Sequence, residues 1–219
     1  QGSVSASATI KVYIPPSEVR PPLDVRSSET ATARFDCNMY AVPAARITWY
    51  KDAKLLHPSG DIQFSTDNST LLISNLEYSD RGQYHCMAEN RDGVNFTLGG
   101  MVQGSAATLL VYVQPRITSE PSDKVLNEGT SSALRCTSYG YPMPVIQWLH
   151  GGVQLPAMRS TTAITTAGND TVPASHTSTL TVSNIMYGDR GQYTCVSRVD
   201  KTGFADSSHL QGSVTASAT

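Results

Sequence analysis

The seven residues Asp80-Arg81-Gly82-Gln83-Tyr84-His85-Cys86 return as Asp189-Arg190-Gly191-Gln192-Tyr193-Thr194-Cys195, with Thr194 in place of His85 as the single change. Other spacings repeat around this stretch. A tryptophan follows the first cysteine of each copy by 12 residues, from Cys37 to Trp49 and from Cys136 to Trp148. Leu71, Ile73 and Leu76 are matched by Leu180, Val182 and Ile185. The offset is 99 at the first cysteines and tryptophans and 109 at Tyr84 and Tyr193, so the second copy is longer by about ten residues, placed in the Ser/Thr-rich stretch 160–178. Within 219 residues this self-similarity predicts two homologous domains of ordinary size.

The local pattern is that of strands. Ala33, Phe35 and Cys37 alternate with Arg34 and Asp36; Ile47 and Trp49 share a face, as do Tyr84 and Cys86. Leu134 with Cys136 and Ile146 with Trp148 repeat the scheme. Alternation with period two between Gly, Pro, Asn, Asp and Ser clusters predicts an all-β fold, and helical periodicity is scarce.

Composition narrows the function. With 39% hydrophobic and 16% charged residues the chain reads as globular, and a net charge of −2 supplies no field for nucleic acid or an anionic membrane. No apolar run reaches the roughly 18 residues a membrane span needs, and Gln1 opens into a strand-like segment rather than a signal peptide. The four cysteines fall as widely spaced pairs, Cys37/Cys86 and Cys136/Cys195, without the tight Cys and His clusters of zinc sites. Two long-range disulfides are the expectation, contributing about 4 kcal/mol each by the chain-entropy argument, and they imply a secreted or surface location.

The run Cys37…Trp49…Leu71-x-Ile73…Asp80-x-Gly82-x-Tyr84-x-Cys86, present in both copies, resembles the immunoglobulin superfamily. The tail Cys86-x-Ala88-x-Asn90-x-x-Gly93 is similar to its I-set branch, whereas Val196-Ser197-Arg198-Val199-Asp200 departs from that pattern. The resemblance implies two antiparallel sandwiches, each with a disulfide between its sheets, an indole (Trp49, Trp148) packed on it, and a tyrosine (Tyr84, Tyr193) bonding back to the E–F corner. On this reading residues 1–14 are the closing strand of a preceding domain or a donor strand, 15–113 the first immunoglobulin-like domain and 114–219 the second. Tyr112-Val113 runs almost directly into Arg116-Ile117 past Pro115, which predicts a stiff, extended arrangement.

Gln1–Thr9 (QGSVSASAT) recurs at Gln211–Thr219 (QGSVTASAT), identical at all but Ser5/Thr215, with a weaker echo at 103–108. Thr9 to Thr108 is again 99, so each echo occupies the last-strand position of a domain. Two explanations stand open: a cut through a longer array with a two-domain unit, or an N-terminal strand that completes a neighbouring copy's second domain.

Three glycosylation acceptor triplets begin at Asn68, Asn95 and Asn169, each in a predicted turn where a glycan stays clear of the core. His57, His85, His150, His176 and His209 are scattered, and no nucleophile elbow or phosphate-cradling loop occurs. Asp80 and Asp189 shape their E–F turns rather than forming an acid pair. The expectation is a non-enzymatic structural or adhesive extracellular module without cofactor or metal, in a glycosylated tandem array or filament. Its partners would be other copies or neighbouring immunoglobulin domains end to end, N-linked glycans and a protein ligand. The alternative is the ligand-binding ectodomain of a cell-surface receptor. An intracellular muscle-type array fits the acceptor triplets and paired cysteines less well.

Overall fold

The computed structural model describes residues 2–91, 99–156, 160–166, 168–169, 171–199 and 213–219. They form strands, turns and coil, with single 3-10 turns at Tyr78–Asp80 and Tyr187–Asp189. Among them no helix is long and apolar enough to cross a membrane. The chain divides into two compact units, one of Gln1–Val25, Thr32–Ser74 and Gly82–Leu109, the other of Arg26–Ala31, Asn75–Arg81 and Leu110–Thr219.

Along the first repeat run β1 (Ile14–Arg20), β2 (Val25–Ser28), β3 (Ala33–Asp36), β4 (Asn38–Val42), β5 (Arg46–Lys51) and β6 (Lys54–Leu55). They are followed by β7 (Ile62–Phe64), β8 (Thr70–Ile73), β9 (Gly82–Glu89), β10 (Met101–Gln103) and the long β11 (Ala107–Ser119). One sheet is ordered β3-β8-β7; another has β6-β5-β9, with β10 and the start of β11 also along β9; β1 pairs with β4, and β2 with β11. Burial follows the alternation. Ala33 and Phe35 are sealed in while Arg34 and Asp36 lie outside, joined by a 2.8 Å ion pair, because successive side chains of a strand face opposite ways.

In the second unit the later part of β11 pairs with β12 (Ser132–Tyr141). Opposite stand β13 (Val145–His150) and β14 (Val153–Gln154). β15 (Ser160–Thr166), β16 (Ser175–Val182), β17 (Tyr193–Arg198) and β18 (Ser213–Ala218) complete the set. One sheet runs β11-β12-β16-β15 and the other β14-β13-β17-β18. Leu134, Cys136, Ile146, Trp148, Leu180, Cys195 and Ala216 form the core between them. The Ser/Thr-rich stretch contributes a strand pair, from Ser160 opposite Leu180 to Thr166 opposite Ser175.

The repeats also agree in register. β1 meets β4 at Ile14↔Val42, Ser17↔Tyr40 and Arg20↔Asn38; β11 meets β12 at Val113↔Tyr141, Arg116↔Tyr139 and Ser119↔Thr137. Every residue of the second set lies 99 positions after its counterpart, and the irregularities fall at matching places.

Candidate functional site

Each repeat is built around one sulfur bridge. Cys37 bonds Cys86 and Cys136 bonds Cys195, with Cα separations of 6.2 and 6.5 Å, and no cysteine is left free. Trp49 on β5 stands opposite Cys86 on β9, and Trp148 on β13 opposite Cys195 on β17, so each indole lies beside its bridge. Both indoles are almost completely buried. The Nε1–H of Trp49 donates to the Asn68 carbonyl at 2.8 Å and that of Trp148 to Ser178 Oγ at 3.0 Å, which removes the penalty of burying a polar N–H. Tyr84 stacks on Phe35 with ring centroids 5.0 Å apart. The Tyr193 hydroxyl donates to the Asp189 carbonyl at 2.7 Å. Asp80 Oδ2 accepts from the Glu77 amide at 2.8 Å and Asp189 Oδ2 from the Met186 amide at 2.9 Å, so both carboxylates are committed to turn geometry.

The turn before β8 carries the first acceptor triplet. Asn68 is half-buried there with φ 59°, a backbone region that asparagine tolerates better than most residues. Its neighbour Asp67 accepts from Ser65 Oγ at 2.6 Å, the Ser69 amide at 3.0 Å and Ser69 Oγ at 2.8 Å. These bonds favour the ionised carboxylate, the Ser65 hydroxyl most, and hold its pKa at about 2. Because the folded value lies below the ordinary 3.8, the stabilisation is complete above that pH and is lost as the pH falls through about 2. A carboxyl carbon NMR titration of Asp67 should show the low midpoint. The turn should loosen between pH 4 and 2 in the native chain, whereas Asp67→Asn should lack this acid dependence.

Of the other triplets, Asn169 is exposed, and its Oδ1 accepts from the Thr171 amide at 2.8 Å and the Val172 amide at 2.9 Å. Asn95 lies outside the described residues.

Asn90 has a role that its place in a motif does not disclose. The side chain is buried, and its Nδ2 lies 2.7 Å from the Ile14 carbonyl and 3.1 Å from those of Val42 and Pro43, while Oδ1 accepts from the Gly100 amide at 3.0 Å. One amide therefore ties together four backbone positions on three distant segments. Asn90→Ala is expected to cost the first unit about 1–3 kcal/mol, since the hydrogen bonds of the buried side chain are lost; urea unfolding of the variant measures it. The matching position of the second repeat is Val199, which explains why the tail pattern lapses there.

Catalytic geometry is not assembled among the described residues. His85 stacks on Tyr50 and His150 on Tyr193, His176 is buried with its pKa lowered by desolvation, and His209 is outside the described set. No group of three His, Cys, Asp or Glu suited to a metal occurs among the described residues. An apolar groove of about 390 Å³ lies at one end of the second unit, lined by Leu126, Leu134, Val182, Ile185, Tyr193 and Ala218. Sequence reading did not find it.

Paired sheets bridged by a buried disulfide beside a tryptophan define an immunoglobulin-type sandwich, and here two occur in tandem. The immunoglobulin I-set domain description fits residues 16–97, and the immunoglobulin domain description residues 114–198. The chain belongs to the immunoglobulin superfamily. It is 31% identical over 206 residues to human Hemicentin-1, covering 89% of this chain and 3% of that protein. Human Roundabout homolog 3 is 30% identical over 191 residues, covering 87% of the chain and 13% of the relative. Chicken Protein sidekick-2 is 30% identical over 204 residues, covering 89% and 8%. The chain thus spans a small fraction of these relatives. Among solved structures, the I-band fragment I67-I69 from titin matches with a TM-score of 0.61 at 21% identity, over 94% of this chain and 64% of that one, a likeness of fold.

Proposed function

We propose that the chain is a non-enzymatic structural or adhesive module of the extracellular space, a stretch of a glycosylated tandem array of immunoglobulin sandwiches. The observation that carries this reading is the complete buried disulfide in both repeats, a bond that persists in oxidising compartments. The exposed Asn169 and the turn position of Asn68 suit N-linked glycans, and the tandem similarity to Hemicentin-1 and Protein sidekick-2 supports an array. Adhesion would then come from sandwich ends and strand edges, with Trp49 and Trp148 serving the cores.

Intact mass of the native material before and after enzymatic deglycosylation, combined with thiol labelling, tests the reading. The expected result is glycan mass on at least two of Asn68, Asn95 and Asn169 and no labelled cysteine. Unmodified asparagines with four reactive thiols would sink it. A second reading is the ligand-binding ectodomain of a surface receptor, which the tandem sandwiches and their paired cysteines fit equally. A transcript that joins these domains to a membrane span and a cytoplasmic domain would favour that alternative.

A further inference from the structure

We propose that a depression beside Tyr141 in the second unit seats the innermost N-acetylglucosamine of a glycan carried by Asn169, so that this sugar packs as part of the fold. This rests on the glycosylated reading above and names the surface that one of its glycans uses.

The lengthened strand pair of the second repeat brings the acceptor to that surface. In the first repeat the turn before β8 closes early: Thr70 stands opposite Asp36, and the Ser69 carbonyl accepts from the Cys37 amide at 2.7 Å. In the second, β15 and β16 run further along β12, and Ser175 stands opposite Tyr139, three positions past Cys136. The turn that precedes Ser175 therefore reaches the end of β12, and Asn169 lines the same depression as Tyr141. This turn is internally fixed. The Asn169 amide donates to the Val172 carbonyl at 3.0 Å, and its Oδ1 accepts from the Thr171 amide at 2.8 Å, the Thr171 hydroxyl at 2.9 Å and the Val172 amide at 2.9 Å. Oδ1 is thus held against the turn. Nδ2, the atom to which a glycan is joined, makes no hydrogen bond among the described residues, and the residue is exposed.

The seat itself has the chemistry of a sugar site. Tyr78, Arg81, Tyr141, Met143, Gly168 and Asn169 line a depression of about 340 Å³, and all belong to the second compact unit. That volume lies at the lower end of the roughly 300–1,000 Å³ of small-ligand sites, a size for one ring rather than a chain of them. Tyr141 is anchored by packing on Tyr112 and Val199, and it meets Tyr78 edge to face with ring centroids 5.6 Å apart. The Arg81 guanidinium lies 3.8 Å from the centre of the Tyr78 ring and 4.9 Å from that of Tyr141, and its Nε donates to the Tyr78 carbonyl at 3.3 Å. A pyranose suits such a surface. Its axial C–H groups carry a small positive charge that meets the electron-rich face of an aromatic ring, while its hydroxyl and acetamido oxygens accept from a guanidinium. Met143, 47% exposed, offers an apolar wall for the acetamido methyl. Attachment to a residue of the rim makes docking intramolecular, so a contact too weak to hold a free sugar suffices. The seated sugar would cover the Tyr78–Arg81–Tyr141 cluster and brace the turn at Asn169 against the 3-10 turn at Tyr78–Asp80.

The 219-residue chain, secreted from a glycosylating host, tests the proposal. Glycopeptide mass spectrometry gives the occupancy of Asn169, and NMR of the folded glycoprotein locates its sugar. The expected result is an acetamido methyl signal moved upfield by ring current, with nuclear Overhauser contacts to the Tyr141 ring. An endoglycosidase that cuts between the two innermost sugars should release the Asn169 glycan about tenfold more slowly from the parent than from Tyr141→Ser or Arg81→Gln, because cleavage requires the sugar to lift from its seat. If one variant fails to fold, the other and the parent spectrum decide. An unshifted methyl without ring contacts, or equal release from the parent and a folded variant, overturns the proposal. So does a bare Asn169 beside glycosylated Asn68 and Asn95, an outcome that leaves the extracellular reading standing, whereas three bare asparagines and reactive thiols would remove both.

Discussion

A Cys37→Ala/Cys86→Ala variant is expected to lose about 4 kcal/mol of unfolding free energy in the first unit, because the bridge closes a loop with a sequence separation of 49 and removes that freedom from the unfolded chain. A domain's whole stability is about 5–15 kcal/mol, so this is a large share of it. Packing adds to the effect, since Cys37 and Cys86 are both buried and alanine fills less space. The second bridge has a separation of 59, and the logarithmic dependence makes its entropic contribution larger by only about 0.2 kcal/mol. Urea unfolding followed by Trp49 fluorescence, in a Trp148→Phe background, reads the first unit alone. A loss below about 1 kcal/mol would show that packing holds the sheets together without the bridge.

Trp49→Ala is expected to cost about 3–5 kcal/mol, comparable to losing the bridge, because a side chain 1% exposed leaves a cavity that the surrounding strands only partly collapse. Trp49→Phe separates two contributions. It keeps most of the apolar volume but removes the donor to the Asn68 carbonyl, so its cost should be nearer 1–3 kcal/mol. The phenylalanine variant should also loosen the turn at residues 65–69, visible as faster amide exchange at Ser69. Equal losses for the two variants would mean that the hydrogen bond rather than the volume dominates.

Legibility differed by residue. Phe35 against Arg34 could be read in advance, because alternation is local and two-residue periodicity maps directly onto inside and outside; Trp49 opposite Cys86 was implied only by the resemblance to the immunoglobulin superfamily. Contacts between buried polar groups could not be read in this way. Ser138 and Ser197 are fully buried, their hydroxyls 2.6 Å apart, with Ser138 also donating to the Arg116 carbonyl at 3.0 Å. Alternation places both on the inward faces of Cys136 and Cys195, but the matching residues of the first repeat are Met39 and Ala88, and no local pattern shows that the two hydroxyls meet. Pairing with β16 made part of the lengthened Ser/Thr-rich stretch the strand β15.

From the sequence alone came the all-β class, the two-copy organisation and the expectation of two long-range disulfides, which rest on spacing and alternation along the chain, while the indoles beside the bridges were implied by the resemblance to the immunoglobulin superfamily. Tertiary structure alone decided that Asn90 binds Ile14, Val42, Pro43 and Gly100, and that the hydroxyls of Ser138 and Ser197 meet. Both depend on which distant segments meet, and a hydrogen bond between residues some tens of positions apart leaves no period in the chain for a reader to follow.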